Sequence, residues 1–462
     1  MMDITTPTSL ILGWPTQFDA RRKARANRTN PLIEKWGRSN ISYALHYPGE
    51  GHLVTFAPTG SGKGVGVIIP NLLHYTGPTI VIDPKGENFV ATARFRRALG
   101  QRILLLDPFR WVDDKYLERF EVTRGRLNPL DLALISKESV HNDAQMIAEL
   151  LSGGGSFSKE PYWDIAAKKL LSGLIAHEMR SHERQAGEAS LRRVIDRLFE
   201  SDAVAMIRLI LNTQDPSDFV KNAIDGGFLN LADITRSSIQ QIAQSYLTTV
   251  SGDILQFLEN STIDLRAIQS DEDYTLYIVI PPNKLTSHSF LLKMWVGVLM
   301  HAVMERKIQP LRRTLFALDE CANLGSLDVL RKAVTLLRGY GLQVWMFFQD
   351  LSQLETLYPG DFRTMTNNCG VIQAFGISRL SAARPLAQII GEYGEGDILG
   401  LDRTQQILSI APTGVRVARI FKYYRDPAFA GRFDDNPLTA RPLDSHRPSH
   451  PFVGASIRSR FI

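Results

Sequence analysis

The chain has 462 residues, too many for one ordinary core, and a prior of roughly 150 residues per domain gives about three domains. Hydrophobic residues at 44% and charged residues at 22% exclude a disordered or low-complexity chain. Two cysteines, Cys321 and Cys369, exclude a disulfide framework or a Cys-rich metal site, and a formal charge of +5 permits an anionic partner without requiring one.

Residues 1–50 read as a basic arm. They carry Arg21, Arg22, Lys23, Arg25 and Arg28 with little periodicity, as a solvated tail or as a contact to phosphate or lipid headgroups. The short apolar patch Leu10-Ile11-Leu12 precedes the basic residues, the reverse of a signal peptide. The best candidate for a bilayer span, Phe290 to Met304, contains Lys293 and His301 and falls short of about 20 apolar residues. These features read as a soluble chain in a reducing cytosol.

From His52 the pattern becomes short apolar runs that end in Gly- or Asp-rich turns. His52 to Phe56 leads into Ala57-Pro-Thr-Gly-Ser-Gly-Lys-Gly64, and Pro78 to Ile82 leads into Asp83-Pro-Lys-Gly-Glu-Asn88. A helix follows to Leu99, and Ile103 to Leu106 then runs into Asp107-Pro108. Strand, polar turn, helix and strand is the rhythm of a parallel α/β sheet. From about Trp111 to Leu265 helical spacing takes over, as in Trp163, Ala167, Leu170, Leu171 and Leu174, and again in Leu191, Val194, Ile195 and Leu198. Ile239, Ile242, Tyr246, Leu247 and Val250 repeat it.

Strand signals resume at Tyr274 to Ile280, Thr314 to Leu318, Gln343 to Phe348 and Gly370 to Phe375. Val415 to Tyr423 reads as an edge strand, and helices are expected near Phe290 to Glu305 and Leu327 to Arg338. The predicted organisation is an α/β sheet domain over 51–110 and 266–433, an all-α insertion over 111–265, and a Pro/Arg-rich tail over 434–462.

The segment Ala57 to Gly64 carries the chemistry. A phosphate loop needs a strand, a Gly-rich turn with inward amides, and a lysine at the start of the next helix. Pro58, Thr59, Gly60, Ser61, Gly62, Lys63, Gly64 and Val65 meet that need, with Lys63 placed for the β- and γ-oxygens. Ala57 replaces the first glycine of G-x-x-x-x-G-K-[ST], and Gly64 replaces the hydroxyl residue that normally ligates Mg²⁺. An ordinary Gly-rich turn is the competing reading; a dinucleotide loop fits worse, because Val65 stands at its third glycine. Gly64, Gly66 and Pro70 make a poor first helix, expected to be short or kinked.

Thr314 to Leu318 ends in Asp319-Glu320. Asp319 is placed to hold Mg²⁺ through water and Glu320 to polarise an attacking water; a strand entering an acidic turn is the alternative. Val344 to Phe348 runs into Gln349, a polar group at the same sheet edge that suits γ-phosphate sensing. Two readings fit Arg338: a guanidinium inserted into a neighbouring subunit's site, or a surface arginine capping a helix C-terminus.

These residues resemble the type IV coupling protein family, the TraG/TraD-type ATPases of conjugation and type IV secretion. The resemblance spans roughly His52 to Asp426. It is strongest in Ala57–Gly66 with Ile69–Leu73, Ile80–Asn88, Leu318–Gly325, and Arg338–Leu342 with Gln349–Gln353. It implies a RecA-like P-loop domain with a mostly parallel sheet and an inserted all-α domain. It also implies ATP and Mg²⁺ as ligands, with Lys63 as the Walker A lysine and Asp319-Glu320 as the Walker B pair. Arg338 then corresponds to the arginine finger and Gln349 to the coupling glutamine, while Asp83 and Lys85 match a motif that suits a structural turn or a nucleotide contact. A ring hexamer is implied, moving DNA, relaxase–DNA nucleoprotein or protein towards a secretion channel. Its place would be cytoplasmic, docked at the inner membrane through a partner.

The sequence departs from the family at Ser378-Arg379-Leu380, where many members carry an acidic residue and Glu-Thr-Ala, and it lacks the N-terminal membrane helices of typical members. Gly64 and the missing anchor motivate an alternative, a nucleotide-gated adaptor with weak hydrolysis. FtsK/HerA-like DNA translocases share the core residues but not the Asp83–Glu87 motif or the large insertion.

Overall fold

The computed structural model describes residues 8–16, 40–136, 140–153, 161–184, 189–200, 202–212, 217–224, 228–248, 250, 252–270, 272–307, 310–336 and 339–436. The apolar runs pair into one eleven-stranded sheet. Its strands are β1 (Leu10–Pro15), β2 (Leu45–Tyr47), β3 (His52–Phe56), β4 (Thr79–Ile82), β5 (Arg102–Leu106) and β6 (Tyr274–Ile278). Then come β7 (Thr314–Leu318), β8 (Leu342–Phe348), β9 (Cys369–Ala374), β10 (Gln405–Ile410) and β11 (Gly414–Arg419). The spatial order is β2-β1-β11-β10-β9-β3-β8-β7-β4-β6-β5.

From β9 to β5 every pairing is parallel. The β10, β11, β1 and β2 side is antiparallel. The parallel register is what builds a site. Phe56 pairs with Phe348, Leu318 with Met346, and Ile82 with Leu318, so the residues after β3, β8, β7 and β4 emerge side by side. Ligands of open α/β sheets bind at this carboxyl edge.

Both sheet faces are covered, which explains strands that are apolar throughout rather than alternating. Val54, Phe56, Ile80, Phe316, Val344 and Met346 face the helices of the insertion and the helix Ser289–Met304. Leu53, Val81, Leu315, Trp345 and Phe347 face the opposite layer, which includes Phe89 and Val90 of the helix Glu87–Ala98. Between β5 and β6 the described elements are helical, among them Val140–Leu151, Pro161–Arg184, Leu191–Leu198 and Asp233–Leu247. Their buried residues, such as Leu170, Leu171, Leu174, Val194 and Ile239, are continuous with the sheet core. Gly297 permits close contact here, since a Cβ at that position would lie 2.8 Å from Leu150 Cδ1. Trp295 Nε1 donates to Leu127 O at 3.2 Å across the same junction.

Several expectations change. The 1–50 arm contains two strands, because Leu10, Ile11, Leu12 and Trp14 are buried and β1 pairs with both β11 and β2. The β11 strand is therefore interior, and β2 and β5 form the edges. The sequence reading omits β10, which carries Gln405 and Gln406 at its start. The proposed tail boundary at 434 falls inside packed structure: Asp434 N–H donates to Ala91 O at 3.0 Å, and its carboxylate pairs with Arg94 and Arg119 at 2.8 and 2.6 Å. The basic run at 21–28 and residues 437–462 lie outside the described residues. Among the described residues, no helix is long and apolar enough to cross a membrane.

Candidate nucleotide site

The loop after β3 starts from a buried anchor, where Ala57 N–H donates to Phe348 O at 2.9 Å. Gly60 and Gly62 adopt φ of +78° and +97°. A Cβ at either would touch nothing within 4 Å, so backbone conformation rather than crowding demands glycine there. Ser61 closes the turn, its Oγ donating to Pro58 O at 2.5 Å. Pro58, Thr59 and Gly60 lie on its open side, partly or fully exposed. Val65 packs against the cluster that includes Ile69 and Phe421, so its side chain serves the core.

The first helix is irregular, as its composition predicts. Gly64–Ile68 forms a π turn and Ile69–Leu72 a single α turn, with Pro70 in the first turn, where its missing N–H is tolerated. Gly66 has a packing reason, because a Cβ there would lie 2.2 Å from Ile420 Cγ2.

Lys63 is 7% exposed. Its ammonium donates to Ala57 O at 3.0 Å and lies 3.2 Å from Glu320 Oε1. Residues about 250 positions apart therefore meet across the sheet edge. Glu320 has φ of +52°, an uncommon backbone state for a non-glycine residue. Its N–H donates to Asp319 Oδ1 at 3.0 Å. Gln349 Nε2 donates to Glu320 Oε2 at 3.2 Å, so both carboxylate oxygens of Glu320 are engaged.

Asp319 titrates well above the ordinary carboxylate range, at about 6. Burial and the neighbouring Glu320 charge push it up, partly offset by Lys63. On β4, Asp83 is raised to about 7, chiefly by burial and with the Asp319 charge contributing. Asp83 accepts from Phe89 N at 2.8 Å and from Asn88 Nδ2 at 3.2 Å, tying the β4 turn to the helix Glu87–Ala98. Lys85 is exposed, with Nζ 3.9 Å from Glu87 Oε1.

The structure thus brings together Lys63, Asp319, Glu320 and Gln349. Arg338 lies outside the described residues, just past the helix Asp328–Leu336. Two contributors escape sequence reasoning. Gly376 (φ +70°) presses on the loop, because a Cβ there would lie 2.7 Å from Ser61 Cβ; a glycine just after β9 is the signal that marks it. Asn88 is 2% exposed with its Oδ1 unpartnered, facing Gly64; only its place in the Asp83–Asn88 run hints at the site.

A glycine-bent loop, a buried ammonium and a pair of adjacent acids suit a polyphosphate with a divalent ion: the loop offers amides, Lys63 a cation and Asp319 a hard oxygen donor. Two clefts lie away from this corner. One of about 390 Å³ runs along edge strand β5, and one of about 370 Å³ lies between insertion helices.

A family model described as "Type IV secretory system Conjugative DNA transfer" matches residues 14–394. The conjugal transfer protein TraG of Escherichia coli is 26% identical over 393 residues, covering 80% of this chain and 60% of TraG. The type IV secretion system-coupling protein VirD4 of Bartonella quintana is 24% identical over 378 residues, covering 77% of this chain and 56% of VirD4. The chain thus spans little more than half the length of such curated relatives. Among solved structures, the trigonal form of the bacterial conjugative coupling protein TrwBdeltaN70 aligns with a TM-score of 0.65 at 16% identity, covering 91% of this chain and 96% of that one. Plasmid coupling protein TrwB in complex with ADP and Mg²⁺ aligns at 0.64 with 15% identity, covering 91% and 97%. At such identity the likeness is one of fold.

Proposed function

The chain belongs to the type IV secretory system conjugative DNA transfer family, and from that premise we propose that it is an ATP-hydrolysing motor subunit. It acts on DNA or relaxase–DNA nucleoprotein and passes it towards a secretion channel. The observation that carries this reading is the 3.2 Å approach of Lys63 Nζ to Glu320 Oε1 at the carboxyl edge of a parallel sheet.

The chemistry is phosphoryl transfer to water. The amides of Gly60 to Gly64 hold phosphate oxygens, and the Lys63 ammonium leaves Glu320 and Ala57 O for the β- and γ-oxygens. That exchange frees one Glu320 oxygen to accept a proton from water, while Gln349 holds the other through its 3.2 Å hydrogen bond. Glu320 is thus tied up until phosphate arrives. Asp319 would hold Mg²⁺ through water, and the ion would supply charge neutralisation to the phosphates. Arg338 from an adjacent subunit completes the charge balance, so a ring of six subunits turns over faster than an isolated one. DNA is held as a polyanion without sequence readout, and a membrane-bound partner places the ring at the inner membrane.

The test is an ATPase assay with and without DNA. Lys63→Ala is expected to abolish turnover. Glu320→Gln is expected to keep nucleotide binding and lose about 100-fold or more in rate. DNA should raise the wild-type rate, and salt should reverse that gain. Near wild-type turnover in either variant would contradict the proposal.

A further inference from the structure

Gly64 stands where a phosphate loop normally places the hydroxyl that faces the metal ion, and this chain has no side chain there. What faces that position instead is Asn88. A Cβ built on Gly64 finds a single neighbour within 4 Å, Asn88 Oδ1 at 3.9 Å. Asn88 is 2% exposed, its Nδ2 is committed to Asp83 Oδ1 at 3.2 Å, and its Oδ1 is buried with no hydrogen-bond partner. With Asp83 ionised, that assignment follows from chemistry, since a carboxylate only accepts and the amide nitrogen donates to it. A buried carbonyl oxygen left unpaired is costly, so its retention beside the phosphate loop points to a ligand.

We propose that Asn88 Oδ1 supplies the oxygen missing at Gly64, accepting a hydrogen bond from the hydration shell of Mg²⁺ brought in with the nucleotide. The inference rests on the nucleotide reading above. The chemistry suits the ion: Mg²⁺ prefers hard oxygen donors and keeps several waters, and a neutral amide oxygen one water away orients that shell without adding charge. Asp83 then acts as a positioning residue, because its carboxylate fixes the amide so that Oδ1 and not Nδ2 faces Gly64. The two loops are thereby coupled: the turn after β4 completes the metal side of the loop after β3.

The experiment measures affinity for a fluorescent ADP in EDTA and along a Mn²⁺ titration, with bound Mn²⁺ read by electron paramagnetic resonance. Asn88→Ala is expected to leave metal-free ADP affinity within about twofold and to raise the Mn²⁺ concentration needed for half-maximal tightening about tenfold or more. Gly64→Ser in the Asn88→Ala background is expected to restore the Mn²⁺ response, because the position has an ordinary φ and room for a hydroxyl. Equal loss of ADP affinity with and without metal, an unchanged Mn²⁺ response in Asn88→Ala, or no rescue by Gly64→Ser would overturn the assignment. Failure of the wild-type chain to bind ADP at all would sink the nucleotide reading itself, a distinct result.

Discussion

Lys63 and Glu320 are held against each other at 3.2 Å, and glycines fix the loop that makes this possible. Gly62, at φ of +97° with open space around its Cβ position, is required for its backbone alone. Gly62→Ala is therefore expected to destabilise the chain by about 1–2 kcal/mol. Gly64→Ala, with ordinary φ and no close neighbour, should be nearly neutral in the same denaturant titration. Equal effects would show that crowding rather than φ governs the loop. The residues whose chemistry repeats at a fixed spacing, Lys63 after its glycines and Asp319-Glu320 after a buried strand, are legible from the sequence. Asn88 is not, because the direction of a buried amide is decided by Asp83 and by how a helix docks beside another loop.

Buried charge ties the helices to one another. His301 on the helix Ser289–Met304 lies 2.9 Å from Asp143 on the helix Val140–Leu151. Burial lowers the His301 pKa, but Asp143 and then Glu305 outweigh burial and raise it above the ordinary 6.5. A histidine raised on folding stabilises fully below the unfolded value, and that contribution is lost as pH rises through the folded value. Urea midpoints are thus expected to fall as pH rises above the ordinary 6.5 and through the raised folded value, and Asp143→Asn should flatten the part of that slope that His301 supplies. An unchanged slope in Asp143→Asn would remove the pair from the pH response.

The strands missed from sequence were hidden in two ways. Gln406 of β10 reads as polar, yet it is fully buried. Its Oε1 accepts from Gln373 Nε2, while its own Nε2 donates to Leu12 O at 2.6 Å. Gln373 Oε1 in turn accepts from Thr55, and Thr55 Oγ1 accepts from Trp345 Nε1. This polar chain crosses the sheet from β8 to β1, pins its register and breaks the apolar pattern that marks strands. The β1 strand was hidden differently, by a short run ending at Pro15 whose partners in β11 lie some 400 positions away.

At the scale of the whole molecule, the insertion and the sheet share one core, with Leu150 seated on Gly297 and Leu170, Leu174 and Met346 in the same cluster. A single cooperative transition is therefore expected, with near-UV and far-UV signals superimposing on thermal unfolding. An earlier loss of helical signal would show the insertion to be independent. The helical spacing over 111–265 is readable from sequence, but not this fusion, because periodicity gives the apolar face of a helix and not what covers it. The strand order, with the loop after β3 two strands from Asp319-Glu320, likewise emerges only from parallel pairing. That order puts two remote segments at one corner of the sheet. The direct measurement is a crystal structure with a non-hydrolysable ATP analogue and Mg²⁺. The γ-phosphate is expected between Lys63 Nζ and Asp319-Glu320, with the 3.2 Å ion pair opened. Nucleotide bound elsewhere, or an intact Lys63–Glu320 pair with nucleotide present, would contradict it.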